Sequence, residues 1–272
     1  MRDILVHVTR HPEWDTATRC AARLAASLHA SLTGVAVVPL PNVPIPYYDG
    51  GAILAQYATF LDEQLAAARA AEPAFSAWAS SLGVAHPAWL ASQGQTRDVL
   101  RHVGNWHDLL VLGTGPDDPW TEPAGIAGLV LRCGLPCLVV PQAAPDVDLR
   151  GGCVAVAWNG SVEAIRALHA ALPVLQLARR IVVLQGKTRP ASLLLPEFAL
   201  EGWCERHGLP VEYAWLPGDR DEGEALLAGA HEADAQLLVM GAYGHTRMSE
   251  WMLGGVTRHM LQHADLPLLM RH

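Results

Sequence analysis

The run Leu237-Leu-Val-Met-Gly-Ala-Tyr-Gly-His-Thr-Arg-Met-Ser-Glu-Trp-Met-Leu-Gly-Gly-Val-Thr-Arg-His-Met260 places an apolar strand, a glycine-bearing loop and a helix in immediate succession. The four apolar residues from Leu237 to Met240 are uninterrupted, as in a strand buried on both faces of a parallel sheet. Gly241 ends that strand and Gly244 follows three residues later; Gly254 and Gly255 come ten and eleven residues after Gly244. At those places the backbone can approach a bound group closely. Met248, Met252, Val256 and Met260 recur every four residues, so the spacing predicts a helix over 246–263. Unpaired N–H groups and the positive end of a helix dipole would then meet at one spot, which is how proteins hold phosphate with few charged side chains. The same residues also suit a tight strand-to-helix turn with a glycine pair packed on a neighbouring helix.

Working outward, the chain has 272 residues, 51% of them hydrophobic and 17% charged, enough to bury a substantial core in two units. The net charge of -8, with no basic run, excludes a general nucleic-acid binder. No apolar run approaches membrane-spanning length and no leader pattern opens the chain, so the expected location is the cytoplasm. Cys20, Cys133, Cys137, Cys153 and Cys204 are odd in number and scattered, which suits reduced buried thiols. Cys133 and Cys137 have three residues between them, not the two of a redox Cys-x-x-Cys, and read as core.

From the beginning, strands are predicted at 4–8, 32–40, 85–91, 109–112 and 137–140. Helices are predicted at 12–30, with Pro12 in the first turn, at 52–82 as one helix or two broken at Pro73, at 96–106 with Thr96 as N-cap, and at 126–133. Alternate prolines make 39–46 an extended loop. The polar stretch 141–152, with Pro141, Pro145 and a closing Gly-Gly, is the best linker, so the units read as 1–142 and 153–272 joined through 143–152.

The pattern then restarts, with strands at 153–158, 181–184, 211–216, 237–240 and 268–270, and helices at 162–178, 193–207, 221–233 and 246–263. The end of one half, Gly134-Leu-Pro-Cys-Leu-Val-Val140, corresponds to Asp265-Leu-Pro-Leu-Leu-Met270, which points to internal duplication. The expected fold is α/β: two tandem doubly wound, Rossmann-like domains, each a five-stranded parallel sheet with helices on both faces. Ligands of such sheets sit at the carboxyl ends of the strands. The final strand, 268–270, is also a candidate assembly edge.

Gly241-x2-Gly244-x9-Gly254, followed by Val256 and Thr257, resembles the ATP-binding signature of the universal stress protein family. In its tandem two-domain form that family resembles nearly the whole chain, and its members look like a homodimer fused into one polypeptide, with the fifth strands pairing across the interface. The resemblance implies an adenine nucleotide (ATP, ADP or AMP), with Mg²⁺ accompanying ATP. It places Asn159 where the family usually has an aspartate at the adenine or ribose edge, and Leu184 and Gln185 where backbone groups meet adenine. Gly241, Gly244, Gly254, Gly255, Val256 and Thr257 fall on the phosphate-loop pattern. Gly255 stands where the family usually has a hydroxyl residue, so one side-chain contact is missing while the N–H remains. His245, Arg247 and Arg258 could add positive charge, although exposed arginines are more often simply solvated. Asn159 or Ser161 also suits a helix N-cap.

The first half lacks these features. Its first strand ends Val8-Thr-Arg-His-Pro12 without an aspartate. In the loop after its fourth strand, Asp117, Asp118 and Glu122 would repel phosphate, and Pro116, Pro119 and Pro123 remove N–H donors.

His259 and His263, four apart, lack a third metal ligand. The nicotinamide fingerprint and the nucleophile elbow are absent. Trp14, Trp78, Trp89, Trp106, Trp203 and Trp215 read as core or interface aromatics. Three readings remain: a nucleotide-binding stress regulator with one site in the C-terminal half and an unidentified protein partner, a nucleotide-free dimerisation scaffold, and a slow ATPase whose only nearby acids are Asp219 and Asp221. A homodimer of tandem units is a further expectation.

Overall fold

The apolar runs that read as doubly buried strands form the centre of a single large sheet. The computed structural model describes residues 1–40, 50–120, 123–145, 150–186, 199–218, 221–242 and 254–272, with backbone alone for 50–54 and 123. In the first half, β1 (Asp3–His7), β2 (Ser31–Pro39), β3 (Pro87–Gly94), β4 (Leu109–Gly113) and β5 (Cys137–Val140) alternate with α1 (Thr16–Leu28), α2 (Gly50–Ala70), α3 (Glu72–Ser81), α4 (Thr96–Gly104) and α5 (Pro123–Arg132). In the second half, β6 (Cys153–Trp158), β7 (Arg180–Gln185), β8 (Val211–Trp215), β9 (Leu237–Gly241) and β10 (Leu268–Arg271) alternate with α6 (Val162–Leu175), α7 (Leu200–Arg206), α8 (Glu222–Glu232) and α9 (Gly255–His263). Residues 41–46 of the extended loop expected at 39–46, the start of the helix expected at 193–207, and residues 246–253 of the helix expected at 246–263 lie outside the described residues.

The strand order is β3-β2-β1-β4-β5-β10-β9-β6-β7-β8. Each half contributes five parallel strands in the same order, which is the doubly wound arrangement expected of an alternating β–α chain. The halves meet at β5 and β10, paired antiparallel with Leu268 opposite Val139, Leu269 opposite Leu138 and Met270 opposite Cys137. The sheet is therefore continuous across the two halves. This overturns the expectation that 268–270 offers an assembly edge, because β10 is paired on both sides, with β9 and with β5. The open edges are β3 and β8. Pro87, which interrupts the strand pattern, is tolerated because β3 is an edge strand.

Alternating side chains of the central strands divide the core between the two faces. Ile4, Val6, Leu109 and Val111 pack with α1, α3, α6 and α7, whereas Leu5, Leu110 and Leu112 pack with α4, α5, α8 and α9. This two-sided burial explains why the strands read as continuous apolar runs rather than alternations.

Local chemistry shifts several boundaries. The first helix starts at Thr16 rather than Pro12, because the Asp15 carboxylate accepts from the Thr18 N–H at 2.7 Å and makes Asp15 the N-cap. That frees Trp14 to dock beside Phe75, Trp78 and Trp89. The N-cap of α4 is Gln95, with Thr96 already inside the helix and buried. The chain at 52–82 is two helices, with Pro73 accommodated in the first turn of α3. Two tryptophans read as core or interface aromatics are at the surface: Trp106 is 81% exposed after α4, and Trp215 is 66% exposed at the end of edge strand β8. All five cysteines are buried, in keeping with the expectation. No helix among the described residues is long and apolar enough to cross a membrane.

Candidate functional site

The carboxyl ends of β7, β6 and β9 lie side by side in the second half. Register places Trp158 opposite Gln185 and Val156 opposite Val239, so the chain leaves β6 at Asn159 between the ends of β7 and β9. Two strand spacings, about 10 Å, separate the outer pair. Asn159, Leu184, Gln185 and Gly241 thus share one edge, and α9 begins nearby at Gly255. Gly244, His245 and Arg247 lie outside the described residues.

Each residue has a definite local task. The Asn159 Oδ1 accepts from the Ser161 N–H at 3.0 Å, closing a turn through Gly160, whose φ of 72° suits glycine. Ser161, not Asn159, is the N-cap of α6: its Oγ accepts from the Ala164 N–H at 3.2 Å. The Asn159 side chain is exposed, with its amide NH₂ left over as a donor. Leu184 is buried in β7, and the Gln185 carbonyl accepts from the Leu216 N–H at 2.8 Å.

Gly241 is where the strand end passes closest to a helix. A Cβ there would stand 2.6 Å from the Ala164 nitrogen and 2.7 Å from the Glu163 carbonyl carbon. The absence of a side chain at Gly241 lets the β9 backbone lie against the first turn of α6. Gly254 and Gly255 behave differently, since a Cβ at either would meet nothing within 4 Å among the described residues. Gly254 is the N-cap of α9 and its carbonyl accepts from the Arg258 N–H at 3.0 Å. Gly255, Val256 and Thr257 occupy the first turn, where N–H groups have no partner within the helix, and Gly254 has no side chain to cap them. Thr257 is 4% exposed. His272 adds an imidazole near the start of the loop, its Nδ1 lying 3.1 Å from the Ala242 carbonyl, a placement that no sequence motif signals.

Asp221 is occupied elsewhere. Its carboxylate caps α8 through the Gly223 N–H at 2.9 Å and the Glu224 N–H at 3.4 Å. Asp219 lies outside the described residues. The His259 and His263 rings stack on each other, with centroids 4.6 Å apart, and His259 packs against Gly223.

The matching corner of the first half is filled by its own loop. The Asp118 Oδ2 accepts from the Gly115 N–H at 2.7 Å, and Trp120 donates from Nε1 to the Gly113 carbonyl at 2.7 Å. Asp118 is only 7% exposed and stands 3.7 Å from the buried His7 Nδ1. Asp117 pairs with Arg10. Asp118, expected to repel phosphate, sits in the turn itself, where its carboxylate accepts from the Gly115 amide. Glu122 lies outside the described residues. Asp118→Ala removes that acceptor from a half-buried amide and empties a buried side-chain site, and a loss of about 2 kcal/mol is expected. Thermal unfolding should register this as a fall of roughly 4–8 °C in the midpoint.

Residues 211–272, which carry β8, β9, α9 and β10, match the model of the universal stress protein family. A universal stress protein of Synechocystis sp. is 25% identical over 179 residues, covering 63% of this chain and 60% of its own length. The chain thus matches well under two thirds of that relative. In fold, the chain resembles a universal stress protein from Archaeoglobus fulgidus (TM-score 0.66, 15% identity, 99% of this chain and 95% of that one). It also resembles a putative universal stress protein from Pseudomonas aeruginosa (TM-score 0.59, 14% identity, 100% and 93%). The family model thus matches the C-terminal segment, and the fold of these solved structures extends over both halves of the chain.

Proposed function

We propose that this chain is an adenine-nucleotide-binding regulator with one working site, at the carboxyl edge of β6, β7 and β9 in the C-terminal half. The observation that carries this reading is the start of α9. Its first turn, Gly255, Val256 and Thr257, begins at two glycines, Gly254 and Gly255, that have no close neighbour among the described residues, so backbone donors and the helix dipole are available to a phosphate. The Asn159 amide and the backbone at Leu184 and Gln185 supply hydrogen-bonding groups for ribose and base. Gly244 and His245 complete the loop on the family resemblance. ATP, ADP and AMP all suit such a cradle, and Mg²⁺ would accompany ATP by binding its phosphates.

The first half does not bind nucleotide in this reading, because Asp118 supplies the anion that its own glycine turn faces. Its units are 1–142 and 153–272, joined by 143–152, with the β5–β10 seam acting as an internal dimer contact. Changes in occupancy alter the surface beside the site, which a protein partner reads.

A second reading, a nucleotide-free scaffold, is favoured by the tight packing of Gly241 and by the turn that uses the Asn159 carbonyl. An ATPase has less support, since Asp221 is committed to capping α8. Calorimetric titration with ATP, ADP and AMP distinguishes the first two. Saturable binding at one nucleotide per chain, abolished by Gly244→Asp, supports the regulator. Absence of binding heat for all three moves the reading to the scaffold.

A further inference from the structure

Two thiols meet where the two halves join. Cys133 follows the last residue of α5 and donates its N–H to the Leu129 carbonyl at 2.8 Å. Cys137 opens β5, level with Leu110 of β4 and Met270 of β10. The turn between them, Gly134-Leu135-Pro136, has glycine at a φ of 69°, and it brings the two Sγ atoms to 3.4 Å. That is hydrogen-bond range for thiols, and closing it to a bond of about 2.05 Å needs only a small further approach of two side chains. We propose that Cys133 and Cys137 form a peroxide-sensitive dithiol that closes to an intramolecular disulfide.

The surroundings make the two sulfurs unequal. The hydrogen bond from Cys137 pulls the Cys133 thiol down to about 7, against the effect of burial, with help from the Leu135 turn and the Arg271 guanidinium. Arg271 is anchored there, since its Nη1 donates to the Gly134 carbonyl. Cys137 is pushed well above the ordinary thiol range by that same hydrogen bond and by complete burial. Cys133 is therefore the more readily deprotonated of the two thiols, and Cys137 the one that answers it.

Access selects the oxidant. Cys133 is 3% exposed and Cys137 is fully buried, so a bulky disulfide reagent cannot reach either sulfur. A recess of about 440 Å³ runs along the seam and is walled by Gly134, Leu135, Pro136 and Arg271, with Arg166 and His169 opposite on α6. It leads to the turn that carries the thiols, and a small uncharged peroxide fits it. The Cys133 thiolate attacks one peroxide oxygen and the O–O bond breaks. The departing hydroxide takes up the proton that Cys133 had released and becomes water, leaving a sulfenic acid on Cys133. The Cys137 sulfur then attacks the Cys133 sulfur, and the S–O bond breaks. The oxygen leaves as a second water, carrying the Cys137 proton. In sum, two thiols and one hydrogen peroxide give one disulfide and two waters.

The test uses the full chain. Trypsin cleaves after Arg132 and Arg150, so one peptide, 133–150, holds both cysteines and no other. After dilute hydrogen peroxide, denaturation and alkylation without reductant, that peptide should lack both alkyl groups and weigh two hydrogens less. Dithiothreitol before alkylation should restore both groups, and glutathione disulfide in place of peroxide should leave the peptide fully alkylated. Cys137→Ser should trap the sulfenic acid on Cys133, captured by dimedone. If that variant does not fold, the wild-type peptide alone decides. A peptide that stays alkylated under peroxide, or that stops at a sulfinic acid on one cysteine, overturns the proposal.

Discussion

Gly241→Ala is expected to lower the unfolding midpoint by roughly 6–12 °C, corresponding to a loss of about 3 kcal/mol. The added methyl would stand 2.6 Å from the Ala164 nitrogen, 2.7 Å from the Glu163 carbonyl carbon and 2.8 Å from the Glu163 Cβ. The two nearest atoms are backbone atoms in the first turn of a helix, so no rotamer change relieves the contact. The turn is held by Ser161, whose Oγ accepts from the same Ala164 N–H. Relief therefore requires the whole start of α6 to move away from β9, against the buried contacts of Ala164, Ala167 and Leu168. Because Asn159 immediately precedes that turn, nucleotide affinity should fall together with stability. Differential scanning calorimetry checks the first effect. An unchanged midpoint would mean that β9 and α6 are not packed as described.

Gly255→Asp is expected to separate the two quantities that Gly241→Ala couples. A Cβ at Gly255 meets nothing within 4 Å among the described residues, so the substitution clashes with none of them. A carboxylate in the first turn interacts favourably with the helix dipole and replaces a poor helix former, giving a gain of about 0.5–1 kcal/mol in stability. The same charge would lie beside the phosphates of a bound nucleotide. Two like charges about 4 Å apart at a protein surface repel by up to roughly 4 kcal/mol, and screening reduces this to about 3 kcal/mol, or a hundredfold weaker binding. Gly255→Ser is the companion variant, because it adds a hydroxyl without charge and should bind at least as tightly as the native chain. Titration of both variants alongside thermal unfolding checks the pair. Equal affinity in Gly255→Asp and the native chain would place the phosphates elsewhere.

Much of the fold was legible because it rests on short-range patterns. Runs such as Leu109 to Leu112 and Leu237 to Met240 are apolar on both faces, and the two-sided core explains why. The repeated Leu-Pro before the fifth strand of each half marked the duplication, and those two strands form the seam. The start of α1 was misplaced because Pro12 suits a first turn as well as a loop, and only the Asp15 cap decides between them. The edge at 268–270 was misjudged because a four-residue strand carries no mark of having partners on both sides. Trp106 and Trp215 were assigned by residue type, whereas exposure depends on which strand and helix ends face water.

Of the candidate site, the sequence marked Asn159, Gln185 and Gly241 at the ends of separate strands, and the strand order makes those ends neighbours. The division of labour among the glycines was not legible, because the approach of Gly241 to α6 is a tertiary contact across 77 positions of sequence, from Ala164 to Gly241. In the first half the acids were visible, but the inward turn of Asp118 toward Gly115 depends on the hydrogen-bond geometry of the folded loop.

The most direct measurement of the central claim is to denature freshly purified protein and identify the released small molecules by mass spectrometry, quantified against protein. An adenine nucleotide at about one per chain in the native protein, and absent from Gly255→Asp, is the predicted result. No nucleotide in the native protein, together with no binding on titration, would contradict a working site at the start of α9.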